Sequence, residues 1–214
     1  MGWENYLPED IQGLYEIHDF KHAAAILAHE FPAEFHEICN ALRNFQLAIE
    51  DITTAGGNES NIPKKFTALL RPLGWKEVKL QSRHVVDDVA INHDTHKVDY
   101  LKGRVAFDLE WNSKDQTFDR DLYAFKSFFD YDKISVGVLV TRSNKLDPLI
   151  AKLGKYRDKN GVERLYKGKF GASTTHMSKL LPRLIAGRNG GCPVLVFGIT
   201  PNLIVDKSIS FKVP

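Results

Sequence analysis

The spacing of apolar residues along this chain changes from the period of a helix to the period of a strand. Before residue 50, apolar positions recur every three to four residues, which predicts helices over residues 20–29, with Asp19 as a cap, and from Pro32 onward. Later segments alternate or are apolar throughout, and they predict strands at residues 75–80, 105–111, 134–141 and 194–199. Residues 85–91 predict a further strand, and residues 204–213 predict an edge strand.

Further helices are predicted between and after these strands, at residues 63–70, 119–131, 146–153 and 177–186, with a loop at about 155–171. Strand 105–111, helix 119–131 and strand 134–141 form a predicted β-α-β unit with a right-handed crossover. The whole pattern predicts an α/β or α+β fold, in which helices flank a mixed central β-sheet and residues 1–60 form a helical N-terminal part.

Length and composition exclude several classes of protein. The chain has 214 residues, 43% of them hydrophobic, which fits a single domain with a substantial core. No apolar run is long enough to cross a bilayer, and no cleavable signal is visible. The two cysteines, Cys39 and Cys192, lack metal-ligand spacing, and so few thiols fit the cytoplasm.

Charge is distributed unevenly, although the net charge is only +2. Residues 1–60 carry two basic and eleven acidic residues, whereas residues 152–188 carry ten basic and two acidic ones. The basic block suggests a polyanion partner, and a solvated lysine-rich loop is the alternative. Phosphate contacts within the block are predicted for Lys155, Arg157, Lys167 and Lys169.

Four histidines near the N-terminus, at positions 18, 22, 29 and 36, are four or seven residues apart. This spacing is compatible with imidazoles on one helix face that bind a metal. Exposed polar positions on amphipathic helices are the simpler interpretation.

Three acids lie in and just before the predicted strand 105–111. Asp99 precedes Asp108 by nine residues, and Glu110 follows Asp108 by two. Side chains two residues apart on a strand share a face, so Asp108 and Glu110 point the same way. Neighbouring carboxylates repel unless solvent or a cation compensates their charge, and hard ions such as Mg²⁺ prefer oxygen ligands. The alternative is an edge strand with its polar face in water.

This acidic pattern resembles the core of PD-(D/E)xK nucleases, in which an acid at a turn and an acid on the next strand hold the metal. The third position, usually lysine, is Glu110 here, as in restriction endonucleases of the BamHI type. The chain is also similar to the BglII and BstYI group in W-K-E at 75–77, R-V-A-F-D-L-E-W at 104–111, D-K-I-S-V-G-V at 132–138, and residues 184–190 and 193–199. The resemblance implies a nuclease core at residues 61–200 within one restriction-endonuclease-like domain, 1–214.

The resemblance also implies roles for four acids. Asp99 and Asp108 would bind Mg²⁺, for which Mn²⁺ can substitute, and through it the phosphate. Glu110 would orient or deprotonate the attacking water or share a second ion, and it counts with Asp99 and Asp108 as a metal ligand. Glu77 corresponds to the family's upstream active-site position. Because Glu110 cannot supply positive charge, the role of the usual lysine is left open.

Residues that read DNA are implied around the helix 177–186. Segment 172–175 resembles the polar loop that contacts bases, residues 188 and 189 follow the helix, and Lys126 would meet phosphate or base. The implied DNA-binding residues are Lys126, Ser173, Thr174, Thr175, Arg188 and Asn189. Ser173 and Thr174 as helix caps, and residues 188–190 as a C-terminal turn, are the alternatives.

Three functions remain open at this point. The first is a type II restriction endonuclease of a restriction-modification system, which uses Mg²⁺ and cuts double-stranded DNA at a short palindrome, with a GATC centre as an extension. Such enzymes act as homodimers, and helix 119–131 belongs either to the dimer interface or to the core. The second is a repair or nicking nuclease of the same fold. The third is a DNA-binding module without catalysis.

Overall fold

A six-stranded mixed sheet forms the centre of the protein. The computed structural model describes residues 2–54, 60–81, 83–92, 96–158 and 160–205. Its strands are β1 (Tyr15–Phe20), β2 (Lys76–Leu80), β3 (Arg83–Val86), β4 (Val89–Asn92), β5 (His96–Lys102), β6 (Val105–Glu110), β7 (Val136–Arg142), β8 (Lys155–Arg157), β9 (Glu163–Leu165) and β10 (Val194–Ile199). The central sheet has the order β1-β10-β7-β6-β5-β2, and β3-β4 and β8-β9 form separate two-stranded sheets.

Helices cover both faces of this sheet. They are α1 (Glu9–Leu14), α2 (Ala23–Glu30), α3 (Pro32–Asn44), α4 (Ile49–Thr53), α5 (Asn61–Leu70), α6 (Thr117–Asp130), α7 (Asp147–Lys152), α8 (Tyr166–Lys169) and α9 (Met177–Ile185). One apolar cluster joins the sheet to α1–α5, and a second joins it to α6 and α9. No helix in the described part of the chain is long and apolar enough to cross a membrane.

The predicted β-α-β unit is confirmed. Strand β6 is parallel to β7, α6 connects them, and β10 is parallel to β7 on its other side. Every residue of β6, β7 and β10 is buried. The edge-strand alternative for residues 105–111 is therefore wrong, because this strand is interior and covered on both faces.

The N-terminal part is not wholly helical. Residues 15–20, which lie in the predicted helical part, form β1 and pair antiparallel with β10 at the edge of the sheet. Helix α2 begins at Ala23 instead of residue 20, and Asp19 accepts a hydrogen bond from the amide of Ala24 at 3.1 Å. Asp19 is therefore not the predicted N-cap, because two residues at positive φ separate the strand from the helix and the second of them, His22, directly precedes α2.

Other predictions need correction. Residues 155–171 are not one loop, because they contain β8, β9 and α8. Residues 85–91 belong to a hairpin instead of a single strand. The predicted edge strand 204–213 lies mostly outside the described residues, although Ile204 forms a bridge to Leu47. Since His18 lies on β1 and His22 precedes α2, the four histidines do not share a helix face.

The phenylalanines of α6 belong to the core. Phe125 and Phe128 are buried in the second apolar cluster, and Phe129 packs against it. Of the two interpretations of this helix, core packing is confirmed for its apolar face.

Candidate active site

Asp99 and Asp108 are brought together by the β5-β6 hairpin. Tyr100 pairs with Phe107 in this antiparallel ladder, so Asp99 and Asp108 follow in register. The backbone N–H of Asp99 donates to Asp108 Oδ1 at 2.6 Å. Asp99 lies within β5 instead of at a turn, which corrects the prediction from the sequence.

The strand is irregular at Asp99. Val98 packs in the cluster on the α6 face, whereas Tyr100, two residues later, packs in the cluster on the opposite face. Regular alternation is therefore interrupted at Asp99. The neighbouring strand β2 has a register shift between Lys76 and Val78, which places Glu77 at the irregularity. Such bulges redirect a side chain and are frequent beside active sites.

Glu77 and Asp99 share one lysine. Lys97 Nζ lies 2.6 Å from Glu77 Oε2 and 4.0 Å from Asp99 Oδ1. The hydrogen bond from Lys97 lowers the pKa of Glu77, whereas burial raises the pKa of Asp99 against the opposing effect of Lys97. Both side chains are nearly half exposed, so they remain accessible from solvent.

Asp108 and Glu110 are buried on the face of the sheet that α6 covers. Asp108 is 3% exposed, and its Oδ2 has no hydrogen-bond partner. Burial, followed by the charges of Asp121 and Asp99, raises the pKa of Asp108 well above its ordinary value. Burial also raises the pKa of Glu110, while a hydrogen bond with Ser113 and the charge of Arg120 oppose the rise. Both carboxylates are thus poorly compensated in their charged form.

Sequence reasoning missed a further acid, Asp121. It lies on α6, is 3% exposed, and has an Oδ2 without a partner. Burial and the charge of Glu110 raise its pKa well above the ordinary value. The signal was available, because Asp121 occupies a helical position between Phe118 and Leu122, on the stripe that continues through Phe125. A charged residue on an apolar stripe requires a partner or a function.

Arg120 contacts two of these buried acids. Its Nη2 lies 3.3 Å from Glu110 Oε1 and 2.9 Å from Asp121 Oδ1. The side chain is 70% exposed, whereas both acids are buried. It brings positive charge to Glu110, for which the sequence resemblance implies the position usually held by lysine.

The site fits a divalent metal ion by the chemistry of its donors. In the described residues, no three His, Cys, Asp or Glu side chains are arranged to hold one ion together. The three-ligand site of Asp99, Asp108 and Glu110 is therefore not preassembled, and it stays a prediction. Mg²⁺ is commonly held by one or two carboxylates together with water and substrate phosphate. The unpartnered Oδ2 atoms of Asp108 and Asp121 are oxygens that such an ion would satisfy.

The segment predicted to read bases is hydrogen-bonded to the residues that follow β6. Thr175 is fully buried, its N–H donates to Ser113 O at 2.9 Å, and its Oγ1 accepts from Ser113 N at 3.2 Å. The amide of Asp115 donates to Ser173 O at 2.9 Å. Ser173 itself is exposed, so its side chain remains available to a ligand.

Neither Ser173 nor Thr174 caps α9. The residue before this helix is His176, and Asn144 Oδ1 accepts a hydrogen bond from the amide of Ser178. Thr174 Oγ1 instead donates to Gly171 O at 2.7 Å and lies 3.4 Å from a guanidinium nitrogen of the buried Arg142. The capping alternative is therefore wrong.

The other predicted DNA-binding residues lie on α6 and in the turn after α9. Lys126 forms an ion pair with Asp130, and its side chain runs so close to Gly190 that a Cβ there would overlap it. Arg188 forms an ion pair with Asp119. Asn189 is 1% exposed and donates to Cys192 O at 2.6 Å, so burial favours the alternative that it stabilises the turn after α9.

The basic side chains of residues 152–188 differ in their exposure and in their partners. Arg157 and Lys167 are exposed, and Lys155 forms an ion pair with Glu163. Lys169 donates to Thr54 O at 2.9 Å and lies over the ring of Phe170, so it ties α8 to the segment after α4.

Comparison with known families gives a match that spans most of the chain. The model of the restriction endonuclease BglII/BglIII family matches residues 15–199. A comparison with curated proteins found no match. The matched region begins with β1 and ends with β10, so it includes the whole central sheet and every acid described above.

Proposed function

Because this chain belongs to the restriction endonuclease BglII/BglIII family and is therefore a type II site-specific deoxyribonuclease, we propose that it cuts a short palindrome in double-stranded DNA with Mg²⁺ as its cofactor. Enzymes of this kind generally use a divalent metal ion. One observation carries the proposal for the site: the buried Asp108 accepts a hydrogen bond from the backbone of Asp99 with one oxygen and has no partner for the other.

The chain's own residues have separate tasks in this proposal. Asp99 and Asp108 would hold the ion, and a bound Mg²⁺ neutralises the phosphate and lowers the pKa of water. Glu110 would orient the attacking water, whose proton passes to solvent as the oxygen adds to phosphorus. Glu77 and Lys97 lie on the exposed side of Asp99, where the DNA phosphate would enter. The P–O bond to the leaving oxygen then breaks, and that oxygen receives a proton from solvent water.

We further propose that residues 1–214 form one domain and that the active form is a homodimer. A palindrome has two-fold symmetry, which two copies with one site per strand would match. The loop 172–175, with Lys126 and Arg188, is the proposed base-reading surface, and a GATC-centred target is the finer proposal. A cytoplasmic restriction-modification system is the proposed setting.

The test is cleavage of unmethylated plasmid DNA by the purified protein with Mg²⁺, with Mn²⁺ and with EDTA, followed by sequencing of the fragment ends. Discrete fragments that need a metal and share one palindrome at their ends are expected. Asp108→Asn should abolish cleavage, and Asp10→Asn, which removes an exposed partner of Arg43, should leave it unchanged.

Other outcomes favour the rival functions. Absence of cleavage with either metal would favour the DNA-binding module. A preference for structured or damaged DNA would favour the repair or nicking nuclease. A protein that remains monomeric on its specific DNA in sedimentation experiments would contradict the homodimer.

A further inference from the structure

Burial of the Asp121 carboxylate lowers the stability of the fold, which suggests that the residue has a function. Its carboxylate comes from a core position of α6 and is 3% exposed, and Arg120 contacts only one of its oxygens. A buried charge without full compensation is strongly unfavourable, and an apolar residue would pack on this stripe without that cost. Nothing in the packing of Phe118, Leu122 and Phe125 requires an acid between them.

The side chain of Asp121 is directed toward the active-site acids. One guanidinium nitrogen of Arg120 lies 2.9 Å from Asp121 Oδ1 and 3.3 Å from Glu110 Oε1, so the two carboxylates lie side by side. The charge of Asp121 also has the largest effect on the pKa of Asp108 after burial. Two oxygens without partners therefore belong to the same group of acids, Asp108 Oδ2 and Asp121 Oδ2. They are contributed by different elements, the central strand β6 and the helix that covers it.

We propose that Asp121 is a further metal-holding residue, and that with Glu110 it forms a second pair of carboxylates that binds a divalent cation beside the pair of Asp99 and Asp108. This inference rests on the proposed function, since it concerns the same site. Hard divalent cations are suited to such pairs, which leave coordination positions for water and phosphate.

Arg120 has a defined place in this arrangement. It neutralises Glu110 and Asp121 from the solvent side while the pair holds no cation. Because its side chain is largely exposed, it can turn into water when a cation enters, without disturbing the core. Arg120 and the cation therefore compete for the same two carboxylates.

The test counts Mn²⁺ ions bound by the purified protein, alone and with plasmid DNA, from the loss of the free-ion signal in electron paramagnetic resonance. Asp121→Asn should weaken one class of Mn²⁺ binding by at least about tenfold, the loss that even an outer-sphere change commonly produces. Asp119→Asn, in the same turn of α6 but paired with Arg183 and Arg188, is the matched control and should bind Mn²⁺ as the wild type does.

Arg120→Gln is the second variant, and it keeps every acid in place. It should strengthen Mn²⁺ binding at the class of sites that Asp121→Asn weakens, because the guanidinium that competes with the ion is gone. Unchanged or weaker binding by Arg120→Gln would overturn the inference, and this variant remains informative if Asp121→Asn fails to fold.

The failure of this inference can be told apart from the failure of the proposed function. If Asp108→Asn loses Mn²⁺ while Asp121→Asn retains wild-type number and affinity, only the second pair is refuted. If Asp108→Asn also retains full binding, or the wild type binds no Mn²⁺ with or without DNA, the proposed metal site fails together with it.

Discussion

At the scale of single residues, burial makes the charged form of the acids in this site unfavourable. Asp108 is buried beside other carboxylates, so its pKa lies well above the ordinary value of 3.8. The folded protein therefore binds this proton more tightly than the unfolded chain does. Stability from this group is fully present below the ordinary pKa and is lost as pH rises through the raised one.

Asp108→Asn should accordingly raise the melting temperature of the metal-free protein, and the gain should grow from acidic toward neutral pH. Each kcal/mol corresponds to about 2–4 °C in a protein of this size. Thermal unfolding in EDTA over a pH series measures the difference from the wild type.

Asp10→Asn is the control, because the stability contributed by Asp10 changes with pH in the opposite direction. The hydrogen bond from Arg43 lowers the pKa of Asp10, so the stability from Asp10 is present above its ordinary pKa and is lost as pH falls. Its replacement should cost stability at neutral pH. Parallel pH curves for the wild type and Asp108→Asn would contradict the expectation for Asp108.

Sequence alone was enough to select Asp99, Asp108 and Glu110, because strand periodicity and the spacing to Asp99 are local signals. Their functional roles stay predictions. Asp121 was missed because its meaning depends on which face of α6 meets the sheet. The burial of Asn189 depends in the same way on tertiary packing, which spacing does not reveal.

At the scale of elements, the β6-α6-β7 unit depends on one close approach between helix and strand. Gly137 on β7 faces α6, and a Cβ there would lie 2.6 Å from Phe125 Cδ2. Gly137→Ala should therefore lower the free energy of unfolding by about 1–3 kcal/mol, as overpacking does. Denaturant titration measures this decrease.

Gly168→Ala is the matched control. Gly168 lies on α8, a Cβ there would meet nothing within 4 Å, and alanine should stabilise the helix by up to about 1 kcal/mol. Equal decreases from both substitutions would show that the close approach to Phe125 is not the cause.

The loop 172–175 contains a buried, hydrogen-bonded residue, Thr175, and an exposed one, Ser173. Their contributions to stability and to DNA recognition can be measured separately. Thr175→Val keeps the shape of the buried side chain but removes the acceptor for Ser113 N–H, which should cost about 0.5–1.5 kcal/mol of stability. Ser173→Ala removes an exposed hydroxyl and should change stability by less than about 0.5 kcal/mol.

The sequences of the DNA ends provide the second readout for these two variants. If the loop reads bases, Ser173→Ala changes the preferred site while Thr175→Val mainly lowers stability. An unchanged preference in both variants would mean that site recognition lies elsewhere.

Elements with strong local periodicity were predicted well. Strands β6, β7 and β10 and helices α3, α6 and α9 were found because each carries a long apolar pattern. Strand β1 was not, since its six residues follow a helix and precede another, and its pairing with β10 involves a partner far along the chain. Strands β8 and β9 were also missed, because they are short and largely exposed.

At the scale of the whole molecule, the basic block should set the salt dependence of DNA binding. The double variant Arg157→Ala/Lys167→Ala removes two exposed cations and should reduce the slope of log binding constant against log salt by about 0.9 for each phosphate that the protein no longer neutralises. Lys169→Ala should leave this slope unchanged, because that side chain is engaged with Thr54 O. Filter binding at several salt concentrations measures both, and equal slopes for the double variant and the wild type would contradict the expectation.

The position of β10 between β1 and β7 has a consequence for synthesis on the ribosome. Strand β1 is made early, but its partner is made nearly 180 residues later, so the edge of the sheet stays open until β10 emerges. Pairings so distant along the chain are slow to form, because loop closure must precede them. A nascent chain that already carries every acid of the site therefore still lacks the finished sheet that supports it.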